Sequence, residues 1–149
     1  MKLKVYVDTS VLSALLDERQ LGRQQLTKQF WRRRSEFYFG TSDVCRVEIS
    51  RHNDITKRTE LLALLENLEL VNANEECRNL ASKYIAGRAF SQAMYDDAMH
   101  VATATVHGYD ILVSWNFRHL VNRRRKAVVL GIHATLGYPA IDIVAPPEL

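Results

Sequence analysis

The stretch that most narrows the fold is Tyr109–Ser114, YDILVS, which is almost wholly apolar and bounded by turn residues, Gly108 before it and Trp115–Asn116–Phe117 after. A short apolar run without polar alternation reads as a strand covered on both faces, the condition of strands in a parallel sheet. The segment before it, Tyr95–His107 (YDDAMHVATATVH), reads as a helix closed by Gly108, and its many Ala and Thr side chains are small enough for close packing on a sheet. A helix leading into a buried strand implies crossover connections and hence a layered α/β architecture.

The same grammar recurs along the chain. In Leu3–Val11 (LKVYVDTSV), Leu3, Val5 and Val7 alternate with Lys4 and Tyr6 as in a strand, and Asp8, Thr9 and Ser10 then lead into a helical pattern of Val11, Leu12, Leu15 and Leu16. Further helices are expected over Arg23–Arg34, from Val44 past Glu48, over Ile55–Leu68, from Asn72 or Asn74 to about Ala86, and over Val121–Thr135. Further strands are expected at Glu36–Gly40, Glu69–Val71 and Ile141–Val144. The βα alternation predicts one α/β domain over residues 1–149 with a mainly parallel sheet.

Length and charge add limits. A chain of 149 residues suffices for one domain with a proper core, and its net charge of +3 is only a mild lean toward anionic partners. Cys45 and Cys77 are far apart and in no metal-like spacing, as expected of small buried residues in a reducing compartment. The sequence shows no signal-peptide core and no apolar run approaching the ~20 residues of a membrane span, so a cytoplasmic protein without a membrane partner is expected.

Four polar residues stand out by position. Asp8 ends the first strand, Glu48 shares a helix face with Val44 and Val47, Asp97 lies in the first turn of the helix before the YDILVS strand, and Asn116 lies just beyond that strand. In a parallel sheet, strand ends and helix starts share one edge, where ligands bind. Three carboxylates in one cleft need a cation among them, and an all-oxygen donor set suits Mg²⁺ or Mn²⁺. Each residue also has a plainer reading: Asp8 as a turn or N-cap residue, Glu48 salt-bridged to Arg51, Asp96 and Asp97 complementing a helix dipole, and Asn116 in a turn.

The segments VYVDTSVL (Val5–Leu12), TSDVCRVEI (Thr41–Ile49), DDAMHVATA (Asp96–Ala104) and DILVSWNFRHLVN (Asp110–Asn122), with the tail GYPAIDIVAPPEL, resemble the PIN domain family, small metal-dependent nucleases that include VapC-type toxins. The resemblance implies a PIN-like three-layer α/β/α fold with a central sheet of about four to five strands. It implies a ribonuclease that hydrolyses RNA phosphodiester bonds with Mg²⁺ or Mn²⁺, and a toxin role with RNA as substrate, a cognate antitoxin as partner and a homodimeric state. Carried over by residue, Asp8, Glu48 and Asp97 become metal ligands and Asn116 the fourth catalytic position, where the family often has Asp. Asp96 becomes a neighbour outside the ligand shell, and Thr9 and Ser114 supporting hydroxyls. Arg118, His119, Arg123 and Arg124 are candidate substrate contacts, because basic groups hold RNA backbone. His100, three residues after Asp97, is assigned a structural role. Two competing readings are a PIN-like binding module without catalysis, which Asn116 keeps open, and a nucleotide-binding α/β protein, disfavoured because DTSVL has no glycine.

Overall fold

The computed structural model describes residues 1–149. Five strands, β1 (Lys4–Val7), β2 (Tyr38–Ser42), β3 (Glu69–Val71), β4 (Ile111–Val113) and β5 (Asp142–Val144), form one sheet in the order β3-β2-β1-β4-β5. Every pairing is parallel. Seven helices connect or follow the strands: α1 (Thr9–Leu16), α2 (Leu21–Arg32), α3 (Asp43–Ser50), α4 (Ile55–Leu65), α5 (Glu75–Ala86), α6 (Tyr95–Val106) and α7 (Arg123–Leu136).

Strand alternation separates the core into two layers. Val5 and Val7 of β1, with Ile111 and Val113 of β4, join α1, α2, α3 and α4 in a cluster that includes Leu12, Phe30, Ile49 and Leu61. Tyr6 and Leu112, one residue out of phase, face the other way and pack with Leu80, Tyr84, Val101 and Val129 of α5, α6 and α7. This is the period-2 logic of a strand buried on both faces. It yields the expected three-layer α/β/α fold, with all five strands parallel.

Several boundaries differ from those expected. The basic end of α2 stops at Arg32, and Arg34–Glu36 tighten into a 3-10 turn. The second strand runs on through Thr41 and Ser42, which pair with Leu70 and Val71 of β3; Thr41 Oγ1 donates to the Val7 carbonyl at 2.6 Å, so a buried polar residue sits within the ladder. Helix α4 ends at Leu65 rather than Leu68, and the last strand starts at Asp142 rather than Ile141.

From β1 the chain steps outward through β2 to β3, then returns to the other side of β1 for β4 and β5. The reversal lies between β1 and β4. In an open parallel sheet the loops beyond the strand ends diverge at such a point and leave a crevice.

Candidate active site

Asp8 stands at the carboxyl end of β1, inside this crevice, and is buried. Its backbone N–H extends the ladder to Val113 of β4 at 3.2 Å. Its side chain caps α1, with Oδ1 accepting the Ser10 N–H at 3.0 Å, so the plainer N-cap role is real and coexists with the position at the carboxyl edge of the sheet. Oδ1 also accepts the Ser10 hydroxyl at 2.5 Å, and Oδ2 accepts the Ser114 hydroxyl from the end of β4 at 2.6 Å. Burial pushes the Asp8 carboxyl above its ordinary range, against the opposing pull of nearby His100 and the two serine hydroxyls.

Glu48 projects from α3 with its Oε1 doubly engaged. Thr9 Oγ1 donates to it at 2.9 Å, and His100 Nε2 of α6 is hydrogen-bonded to the same oxygen. His100 is buried and is held from behind by the Tyr6 hydroxyl at 2.6 Å on Nδ1, which in turn meets Ser42 Oγ at 2.6 Å. Burial works to raise the Glu48 pKa, but the His100 hydrogen bond and charge outweigh it and hold the carboxyl below its usual range. Burial likewise opposes protonation of His100, and Glu48, then Asp8 and Asp97, raise its pKa above the ordinary value. The expected alternative partner of Glu48, Arg51, instead pairs with Asp96 at 2.8 Å.

Asp97 lies in the first turn of α6 and is bound through Oδ2 to His119 Nδ1 at 3.1 Å. Burial raises its pKa, with His100 and His119 acting the other way. Asn116 serves the turn that carries His119: its Oδ1 accepts the His119 N–H at 2.9 Å, and its own N–H donates to Ser114 Oγ at 2.9 Å. Three carboxylates on three elements thus surround one buried imidazole, and Asn116 acts on Asp97 through His119.

The donor set fits a hard divalent cation. Oxygens Glu48 Oε2 and Asp97 Oδ1 carry no hydrogen bond, while the second oxygen of each is tied to a histidine, the arrangement that orients metal-ligating carboxylates. Two of the three acids are held above their ordinary range chiefly by burial, with a smaller addition from the Glu48 charge, and a cation would offset both. No three carboxylate, histidine or cysteine side chains are already gathered into a coordination shell.

The basic candidates divide. Arg118, Arg123 and Arg124 are exposed and have no carboxylate partner. Arg125 and Lys126 are structural: Arg125 donates to the Ala89 carbonyl at 2.5 Å and Lys126 to that of Ile143 at 2.9 Å. Trp31 packs edge-on against Phe39, and Trp115 is buried. Cys45 and Cys77 are buried free thiols. Sequence reasoning gave no site role to His100, Tyr6 or Ser10. The one local signal was the spacing of His100 three residues after Asp97, which places both on neighbouring turns of α6.

The model of the PIN domain family matches residues 5–120, from the first strand through the turn that holds His119. The chain belongs to the PIN domain family. No curated protein sequence matches it. Among solved structures, this PIN domain is similar in fold to DNA-bound VapBC from Salmonella typhimurium, with 15% identity, a TM-score of 0.61 and coverage of 97% of this chain and 98% of the other. It is likewise similar to VapBC2 from Rickettsia felis bound to a promoter DNA fragment (10% identity, TM-score 0.61, coverage 96% and 98%). A third is VapC20 from Mycobacterium tuberculosis, described as a toxin that cleaves the sarcin–ricin loop (14% identity, TM-score 0.62, coverage 93% and 98%). No helix of this PIN domain is long and apolar enough to cross a membrane.

Proposed function

We propose that this PIN domain, acting as one unit over residues 1–149, is a divalent-metal-dependent endoribonuclease and the toxin of a type II toxin–antitoxin pair. The observation that carries this reading is the set of three carboxylates, Asp8, Glu48 and Asp97, brought by β1, α3 and α6 to the reversal point of the sheet, two of them with a free oxygen. Those three would hold Mg²⁺ or Mn²⁺, and a bound ion supplies a low-pKa water and polarises a phosphate oxygen. Thr9 and His100 fix Glu48, His119 fixes Asp97, and Ser10 with Ser114 fixes Asp8. Exposed Arg118, Arg123 and Arg124 neutralise RNA phosphates; the last two open α7, where the helix dipole disfavours cations and an anionic ligand offsets that cost. Similarity to structures named as VapBC supports a protein antitoxin partner, and the proposal includes a homodimer in the cytoplasm.

Purified protein is expected to cleave a panel of labelled RNAs with Mg²⁺ or Mn²⁺, to stop in EDTA, and to lose cleavage in Asp97→Asn, a change that a contaminating nuclease would ignore. The capping role of Asn116 favours one second reading, a PIN-like RNA-binding module without catalysis. In that case RNA binding would be independent of metal, and no cleavage would be seen in any lane.

A further inference from the structure

Beside the acid cluster, a cavity of about 280 Å³ opens between α1, the start of α2 and the end of β4. It shares Ser10 and Asn116 with the surroundings of Asp8 and Asp97, so what occupies it lies next to the acids. Its one cation is Arg23. The guanidinium lies over the Trp115 ring at 4.8 Å, and the indole is fixed in turn, since Trp115 Nε1–H donates to Thr27 Oγ1 at 2.8 Å and that hydroxyl donates to the Arg23 carbonyl at 2.6 Å. Gln24 locks α2 onto α1 by donating to the Leu15 carbonyl at 2.9 Å. Asp17, the only carboxylate in the lining, is bound by Arg19 at 3.0 Å, and Arg23 has no acidic partner. A cation held in place by an aromatic plane and unpaired beside a carboxylate site is arranged for an incoming anion.

We propose that this cavity is a nucleotide subsite, in which Arg23, layered on Trp115, binds the phosphate next to the one aligned at the acid cluster while Ser13 and Asn116 line the space for its sugar and base. The proposal rests on the ribonuclease reading and adds where the strand runs: from the acids toward α2. A cavity that sets the Trp115 ring and Ala14 beside two serine hydroxyls, the amides of Gln20 and Asn116 and a single arginine suits one unit of a single strand, with its apolar base face and polar backbone.

The test measures binding of fluorescein-labelled single-stranded RNA in EDTA, alongside Trp115 emission in a Trp31→Phe background, which leaves Trp115 as the sole tryptophan. RNA is expected to change Trp115 emission. Arg23→Ala is expected to weaken binding about ten-fold and to reduce the slope of log affinity against log salt by about 0.7, the value of one single-strand phosphate contact. Ser13→Phe, which fills the cavity, adds no second tryptophan and leaves Arg23 in place, is expected to weaken binding as well, with circular dichroism confirming that both variants fold. RNA that binds and is cleaved by wild type, with affinity and Trp115 emission indifferent to both variants, overturns the subsite and leaves the nuclease standing. Wild type that neither binds nor cleaves RNA overturns both. A poly-glutamate peptide that matches RNA in affinity and emission change overturns the nucleotide assignment in favour of a protein segment.

Discussion

His119 and Asn116 decide what the missing fourth carboxylate costs. The family resemblance makes Asn116 the fourth catalytic position, yet its Oδ1 is spent on the His119 N–H, and His119 holds Asp97. Removing the imidazole in His119→Ala is expected to lower Mn²⁺ affinity by about 10–100-fold, the usual effect of deleting a partner of a metal ligand, measured by calorimetry. Unchanged affinity would show that Asp97 needs no support from His119. Asn116→Asp keeps an acceptor for the His119 N–H and adds a charge, so Mn²⁺ binding is expected to tighten; a weaker ion would mean that the turn, not the charge, matters at this position.

Strand β2 couples the fold to the site, because it leads directly into α3 and Glu48. Gly40 sits in it against Tyr6 of β1 and Glu69 of β3. A Cβ there would lie 2.5 Å from the Tyr109 hydroxyl and 2.7 Å from the Glu69 carbonyl, so the glycine is required by close approach. Gly40→Ala is expected to destabilise the protein by about 1–3 kcal/mol in urea unfolding, as overpacking does. The aromatic run before Gly40 marks a strand in the sequence, but the expected strand stops at Gly40 and leaves Thr41 and Ser42 to the junction with the next helix, because burial of a paired polar residue leaves no local trace. The strand–helix alternation and the positions of Asp8, Glu48, Asp97 and Asn116 were legible for the opposite reason: periodicity and junctions are local. His100 was not, since its partners Glu48 and Tyr6 lie 52 and 94 positions away. Nothing in its neighbourhood on α6 points to either.

At the scale of the whole molecule, the second core layer is pinned by a neutral histidine. His133 Nδ1–H donates to the Pro139 carbonyl at 2.9 Å, which leaves Nε2 to accept the Tyr84 hydroxyl at 2.5 Å. Burial holds its pKa below the ordinary value. The unfolded chain then takes up a proton near pH 6.5 that the folded chain refuses, so this contribution to stability is intact above about pH 6.5 and is lost as pH falls toward the folded pKa. His100, shifted the other way, acts oppositely: its contribution is present below its unfolded pKa and lost as pH rises through the folded one. Comparing wild type with His133→Gln by urea unfolding at about pH 7.5 and about pH 5 separates the two, and the variant is expected to lose less stability on acidification. The sheet order has a consequence in time as well as in space. The strand synthesised first lies at the centre, and Ser114 must reach back 106 positions to Asp8. A chain still on the ribosome therefore carries its first acid without the strand that braces it. The hydrogen-bonded surroundings of Asp8 are therefore completed only when most of the message has been read, and a product that ends before β4 lacks them.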